Sequence, residues 1–166
     1  MSDAFEQLAT HDIRFLVLDV DGVMTDGGMY YTESGDQFKK FNTKDGMGIQ
    51  RAMKAGLKVA FLSSGSQAMI VRGRAKTLGV EHIYIGPRPK IDVLNEWCRE
   101  FDIRLDQVAY IGDDVNDIEV MDAVAFSGCP ADAVEAVKMK ANVVLRRKGG
   151  DACVREFVDE HLLDNN

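Results

Sequence analysis

The chain is short of three things: surplus positive charge, cysteines able to pair, and long apolar runs. Its 20 Lys and Arg stand against 27 Asp and Glu, a formal net charge of −7. No broad basic face is available to displace counterions from nucleic acid, which excludes a general phosphate-backbone binder and makes any basic contact local. Cys98, Cys129 and Cys153 are odd in number, widely separated and without CxxC spacing. They read as reduced, core-filling residues rather than a disulfide framework. His11, His82 and His161 are as scattered, so no zinc site is expected. No apolar run reaches the ~18 residues of a membrane-spanning helix. The opening MSDAFEQLATHDI carries acids where a signal peptide has a basic end and an apolar core, so a cytoplasmic protein is expected.

What is present suits one well-filled core. With 166 residues, 46% of them apolar, and only three prolines, the chain predicts a single domain over residues 1–166. Strand-like and helix-like stretches alternate along it. Ile13–Val20 is a continuous apolar run, as expected of a strand covered on both faces. Met29–Tyr31 and Gln37–Phe41 flank TESGD, whose Gly and Asp favour a turn, and together they predict a hairpin. A helix is expected over Asp45–Ala55, a strand in LKVAFLSS, a helix over Ser66–Leu78 and a short strand in EHIYIG. From Ile91, apolar residues recur at Leu94, Trp97, Cys98 and Phe101, the stripe of an amphipathic helix. QVAYIGDD, a helix from Val115, AVAFSG, a helix from Ala131, ANVVL and a last helix carrying Val154, Phe157, Val158 and Leu162 complete the order. Such alternation predicts an α/β fold: a doubly wound, Rossmann-like parallel sheet with a β-hairpin inserted after the first strand. Ligands of such sheets bind beyond the carboxyl ends of the strands.

Polar residues gather in that place. The first strand ends at Asp19 and Asp21, the second at Ser63 and Ser64, and QVAYIG at Asp113, Asp114 and, a turn later, Asp117; Lys90 follows GPRP at a helix start. Carboxylates ~4 Å apart repel by about 1 kcal/mol per pair in water and about 4 at a protein's effective dielectric. A hard divalent cation relieves this, and oxygen-only donors suit Mg²⁺ together with a substrate phosphate. Asp19, ionised at neutral pH, is placed to attack phosphorus without a general base. Asp21, brought to the same substrate by a bend after Asp19, would protonate the leaving alkoxide and later take a proton from water. Ser64 and Gly65 would hold the phosphate, and Lys90 would supply fixed positive charge.

Singly, each feature has a plainer reading: DxDG as a turn, Ser64 as a helix cap, Lys90 as a solvated side chain, GDDVND as a calcium-like loop or capped helix start. Together and in this order they resemble the four motifs of the haloacid dehalogenase superfamily of phosphatases. DVDGV is similar to the first motif, Ser64 to the second, Lys90 to the third and GDDVND to the fourth. The resemblance implies Asp19 as nucleophile and Asp21 as general acid and base. It implies Mg²⁺ on the Asp19 carboxylate, the Asp21 carbonyl and Asp113, with Asp114 and Asp117 in support.

A narrower resemblance, from about Ile13 to Leu162, is to the phosphatases of 2-keto-3-deoxy sugar acid phosphates, which have no large cap domain. It rests on DVDGVMTDGGMYYTESGDQFKKFNTKDGMGI, GVEHIYIG, VAYIGDDVND and KGGDACVREFV. It implies the eight-carbon 3-deoxy-D-manno-octulosonate 8-phosphate as substrate, with nine-carbon 9-phosphates as the alternative. It also implies a homotetramer in which hairpins associate and a neighbour closes each site. Met29, Tyr30, Tyr31, Phe38 and Phe41 suit such a buried interface, though a flap packed on its own domain is the plainer reading. Arg72, Arg74 and Arg155 are candidates for a sugar carboxylate or a neighbouring subunit, and Lys148 a weaker one.

Two departures stand out. Ser66 occupies the place where eight-carbon enzymes tend to carry Arg and some nine-carbon enzymes Glu. The chain also stops soon after EHLLDNN, where several relatives extend a tail into a neighbouring site. A signalling receiver domain is disfavoured because FLSSG offers no phosphoacceptor Asp. A non-catalytic tetramerisation module is disfavoured because Asp19 and Asp21 are both present.

Overall fold

Phe15–Leu18 (β1) shows how the core is organised. Its four side chains are all buried, yet Leu16 and Leu18 face one apolar cluster while Phe15 and Val17 face another. Alternate residues of a strand point to opposite faces, so an unbroken apolar run requires cover on both sides. The computed structural model describes residues 12–163. His11, most of the MSDAFEQLATHDI opening and the last three residues of the tail lie outside them.

β1 is followed by a hairpin of two short strands, β2 (Tyr30–Tyr31) and β3 (Gln37–Phe38). The remaining strands are β4 (Lys58–Ser63), β5 (His82–Ile85), β6 (Val108–Ile111), β7 (Phe126–Cys129) and β8 (Val143–Val144). Six of them form one parallel sheet in the order β5-β4-β1-β6-β7-β8, and β2 pairs with β3 antiparallel outside it. The expected doubly wound sheet and hairpin insertion are both present. β1 lies between β4 and β6 in register, Leu18 beside Phe61 and Ile111. The polar ends of three strands are thereby set side by side.

The helices are α1 (Thr43–Lys54), α2 (Ala68–Leu78), α3 (Lys90–Phe101), α4 (Ile118–Ala123), α5 (Glu135–Lys138) and α6 (Cys153–Phe157). Ile49 and Ala52 of α1, Val71 and Ala75 of α2 and Phe157 of α6 join the Leu16 side of the sheet. Val93 and Leu94 of α3, Val120 of α4 and Val137 of α5 join the Phe15 side.

Several boundaries differ from expectation for local reasons. α1 begins at Thr43 rather than Asp45 because Asn42 caps it, its side chain accepting the Lys44 N–H at 2.8 Å. The helix expected from Val115 opens as a 3₁₀ turn, Val115–Asp117. The helix expected from Ala131 is confined to Glu135–Lys138, after a turn in which Ala133 N–H bonds Pro130 C=O at 3.0 Å. The last helix widens into a π turn over Val158–Leu163. No helix among the described residues is long and apolar enough to cross a membrane.

Candidate active site

The bend that brings Asp19 and Asp21 together is made by backbone alone. Asp19 still belongs to the ladder, its N–H bonding Ile111 C=O at 3.0 Å. The N–H groups of Val23, Met24 and Thr25 then all turn back on Val20 C=O. Gly22 takes φ +82°, and a Cβ there would fall 1.9 Å from Asp113 Oδ2, so sterics demand glycine. Buried Thr25 accepts the N–H groups of Gly22 and Gly27 on its hydroxyl, at 3.3 and 3.2 Å. Beneath this turn runs Lys148–Ala152. Gly150 N–H bonds Val23 C=O at 3.0 Å, and a Cβ on Gly149 would fall 1.8 Å from the Gly22 oxygen. The KGGD stretch therefore supports the acidic turn from below.

A cavity of about 240 Å³ opens over the strand ends, lined by Asp19, Asp21, Ser64, Gly65, Asp113 and Asp114 among others. Lys90, the first residue of α3 and only 5% exposed, does not line this cavity but sits behind Asp19, which does. Its ammonium lies 2.9 Å from Asp19 Oδ1 and 2.6 Å from Asp117 Oδ1. Burial opposes the charge on Lys90, but Asp19 and Asp117 outweigh it and hold the pKa above the ordinary lysine value.

Asp117 is fully buried and uses both oxygens as acceptors. Oδ1 takes Lys90 and the Tyr110 hydroxyl, at 2.6 and 2.5 Å; Oδ2 takes the N–H groups of Asp113 and Asp114, at 2.9 and 3.2 Å. It fastens the fourth-motif loop to the lysine.

Oxygen atoms of Asp19, Asp113 and Asp117 all lie within 4.8 Å of one another. Burial and the charge of Asp117 push the Asp19 carboxyl up to about 6 despite Lys90. Burial, and next the charge of Asp19, push Asp113 up as well, and the two share a hydrogen bond. One ammonium does not neutralise this cluster. An all-oxygen set short of positive charge fits a hard divalent cation, and because Asp117 is already committed, Asp19 and Asp113 are the carboxylates free to hold it.

The second strand end contributes Ser64, whose hydroxyl accepts from Asn116 Nδ2 at 3.3 Å. Gly65 N–H is occupied by the Ser63 hydroxyl at 3.0 Å, and a Cβ on Gly65 would fall 2.9 Å from Asp21 Oδ2. Three arginines singled out in the sequence do not line this cavity. Arg72 is exposed. Arg74 donates to Asn42 C=O at 3.4 Å, lies over the Phe41 ring and leaves its Nε buried without a partner. Arg155 pairs with Asp159. Lys148 is exposed and does not line the cavity either.

Three residues that sequence reasoning passed over join the site. Tyr110 was legible as a buried strand tyrosine whose hydroxyl needs a partner. Asn116 sits inside the GDDVND motif. Lys39 gave no signal, because its approach to Asp21 Oδ1, at 2.5 Å, depends on how the hairpin lies over the sheet.

Residues 79–156 match the family model of haloacid dehalogenase-like hydrolases. The chain is 41% identical over 152 residues to the 3-deoxy-D-manno-octulosonate 8-phosphate phosphatase of Yersinia pestis, covering 92% of this chain and 81% of that protein. A crystal structure of the phosphatase of that name from Yersinia pestis superposes with a TM-score of 0.91 at 39% identity, covering 98% and 87% of the two chains. The enzyme of the same name from Moraxella catarrhalis, solved with magnesium ion, phosphate ion and KDO, gives 0.89 at 30% identity, covering 98% and 91%.

Proposed function

Since this chain belongs to the haloacid dehalogenase-like hydrolases and is, with its relatives, a phosphatase, we propose that it hydrolyses the phosphomonoester of a 2-keto-3-deoxy sugar acid through an aspartyl-phosphate. Supporting this is one observation above others: Asp19, Asp21 and Asp113 converge on a single cavity with Lys90 paired to Asp19 at 2.9 Å.

Asp19 attacks phosphorus, forming an acyl phosphate as the P–O bond to the sugar breaks. Asp21 gives its proton to the departing alkoxide. It then takes a proton from water, whose oxygen attacks the same phosphorus, releases inorganic phosphate and restores Asp19. Ser64 and Gly65 border the phosphate, and Lys90 offsets its charge while keeping Asp19 ionised. Asp19, Asp113 and the Asp21 carbonyl would hold Mg²⁺, which would supply charge neutralisation at the phosphoryl group. Asp117 orients Lys90 and the loop carrying Asp113, and Asp114 lies at the cavity edge.

The names of the relatives favour the eight-carbon octulosonate 8-phosphate. Assembly as a homotetramer, a neighbour closing each site, accords with the exposure of Met29, Tyr31 and Phe38 on the hairpin. Arg72, Arg74 and Arg155 are assigned to subunit contacts or to a substrate approached from a neighbour.

Phosphate release with Mg²⁺ tests the reading on eight-carbon and nine-carbon keto acid phosphates and ordinary hexose phosphates. A strong preference for one keto acid, lost in Asp19→Asn, is the expected outcome. No turnover of any compound by the wild type refutes it, and a mass by light scattering other than four chains refutes the assembly.

A further inference from the structure

Lys39 is the one inward side chain of an outward-facing segment. Gln37, Phe38 and Lys40 around it are exposed, whereas the Lys39 side chain is 12% exposed. An ammonium carries three donors, and Lys39 spends one on Asp21 Oδ1. Lys39 also lines a second cavity of about 250 Å³, together with Tyr30, Phe38, Ser66 and Gln67 among others. This cavity adjoins the first, sharing Asp21, Gly27 and Gly65 with it.

The charges lining the two cavities are lopsided. Asp19, Asp21, Asp113 and Asp114 contribute carboxylates, and Lys39 is the only cation among the lining residues. A phosphate at Asp19 would be compensated by Lys90, which is paired to that carboxylate, and by the divalent ion that Asp19 and Asp113 would hold. A second anion on the same molecule would be repelled by the carboxylates of the first cavity, whereas the second cavity offers it Lys39 and, apart from Asp21, only uncharged lining residues.

The geometry points to Lys39 as the receptor for a second anionic group of the substrate, the carboxylate of the sugar acid, taken in exchange for the ion pair with Asp21. This deepens the proposed function and rests on it. On binding, Lys39 turns from one carboxylate to another, and Asp21 is released towards the leaving oxygen. The acid group is thus both recognised and used to free the proton donor.

The test compares phosphate release from 3-deoxy-D-manno-octulosonate 8-phosphate and from its C1 methyl ester, which keeps the sugar and its phosphate and removes the charge at C1 while adding one methyl group there; the Lys39 variants separate the loss of charge from the added bulk. Wild type is set against Lys39→Met and Lys39→Arg, each with its Mg²⁺-loaded melting temperature measured. The readout is the acid-to-ester ratio of kcat/KM, which does not depend on the fraction of enzyme folded. Wild type is expected to prefer the acid by about 10- to 100-fold, the span of a charge-assisted contact. That ratio falls to within about threefold of unity in Lys39→Met and is largely kept in Lys39→Arg. A wild type that prefers the acid and a Met variant that prefers it equally overturn the role of Lys39 and leave the proposed function standing. Equal use of acid and ester by the wild type also overturns it. Turnover of neither compound by the wild type overturns both readings together.

Discussion

Two aspartates of one cluster are expected to answer the same substitution with opposite effects on stability. In Asp117→Asn the amide must place its NH₂ against donors whichever way it turns. One orientation meets Lys90 and Tyr110, now 2.6 and 2.5 Å from Oδ1; the other meets the Asp113 and Asp114 N–H groups, at 2.9 and 3.2 Å from Oδ2. At full burial no water replaces the lost acceptor. Breaking a buried ion pair from one side costs about 3–5 kcal/mol, which with a urea slope of about 2 kcal/mol/M lowers the midpoint by about 1.5–2.5 M. Asp19→Asn removes a carboxylate that burial and Asp117 already hold up at about 6, and Lys90 retains Asp117. Without metal its midpoint should match or exceed that of the wild type, while turnover vanishes. Urea unfolding followed by circular dichroism, in chelator, measures both. If Asp117→Asn lost less than about 1 kcal/mol, or Asp19→Asn lost as much as it, the division between a structural and a reactive aspartate would be wrong.

Asp45 provides a pH test away from the metal site. Buried, it accepts the Arg155 N–H at 3.1 Å while its Oδ2 has no partner, and burial pushes it from 3.8 up to about 6. A folded carboxyl above its unfolded pKa destabilises the ionised protein, so the penalty is present above pH ~6 and disappears as pH falls towards ~4. Asp45→Asn should therefore melt higher than wild type at pH 8, the gap narrowing at pH 5 and closing near pH 4; a gap independent of pH contradicts this. Asp21→Asn should slow turnover of the sugar phosphate about 10²- to 10⁴-fold. With p-nitrophenyl phosphate, whose leaving group needs no proton, it should still give a stoichiometric burst in stopped flow before stalling as the aspartyl-phosphate. Gly22→Ala drives a methyl group into Asp113, 1.9 Å from Oδ2. Its Mg²⁺ requirement should rise by at least about tenfold in activity titrations, the loss expected when a metal ligand is disoriented; an unchanged titration would mean the turn yields freely.

Local chemistry made most of the fold legible. The unbroken apolar run of β1 implied cover on both faces, and the stripe from Ile91 to Phe101 implied one buried side. Element ends were less legible because they depend on single hydrogen bonds, such as the Asn42 cap, and on turns that compete with helix, as at Pro130–Ala133. Asp19, Asp21, Ser64, Lys90 and Asp113 were legible because each sits next to a recognisable strand or helix end.

By itself the sequence determined the parallel α/β order, the acids at the strand ends and the chemistry they favour, since these follow from side-chain period and residue type within short stretches. Tertiary structure alone decided the rest. It set β1 between β4 and β6, brought Lys90 to Asp117 across 27 positions of chain and laid Lys39 on Asp21 across 18. It also kept Arg72, Arg74 and Arg155 away from the cavity of their own chain. Such pairings depend on how sheet, helices and hairpin pack in three dimensions, a long-range outcome that no local pattern of residues encodes.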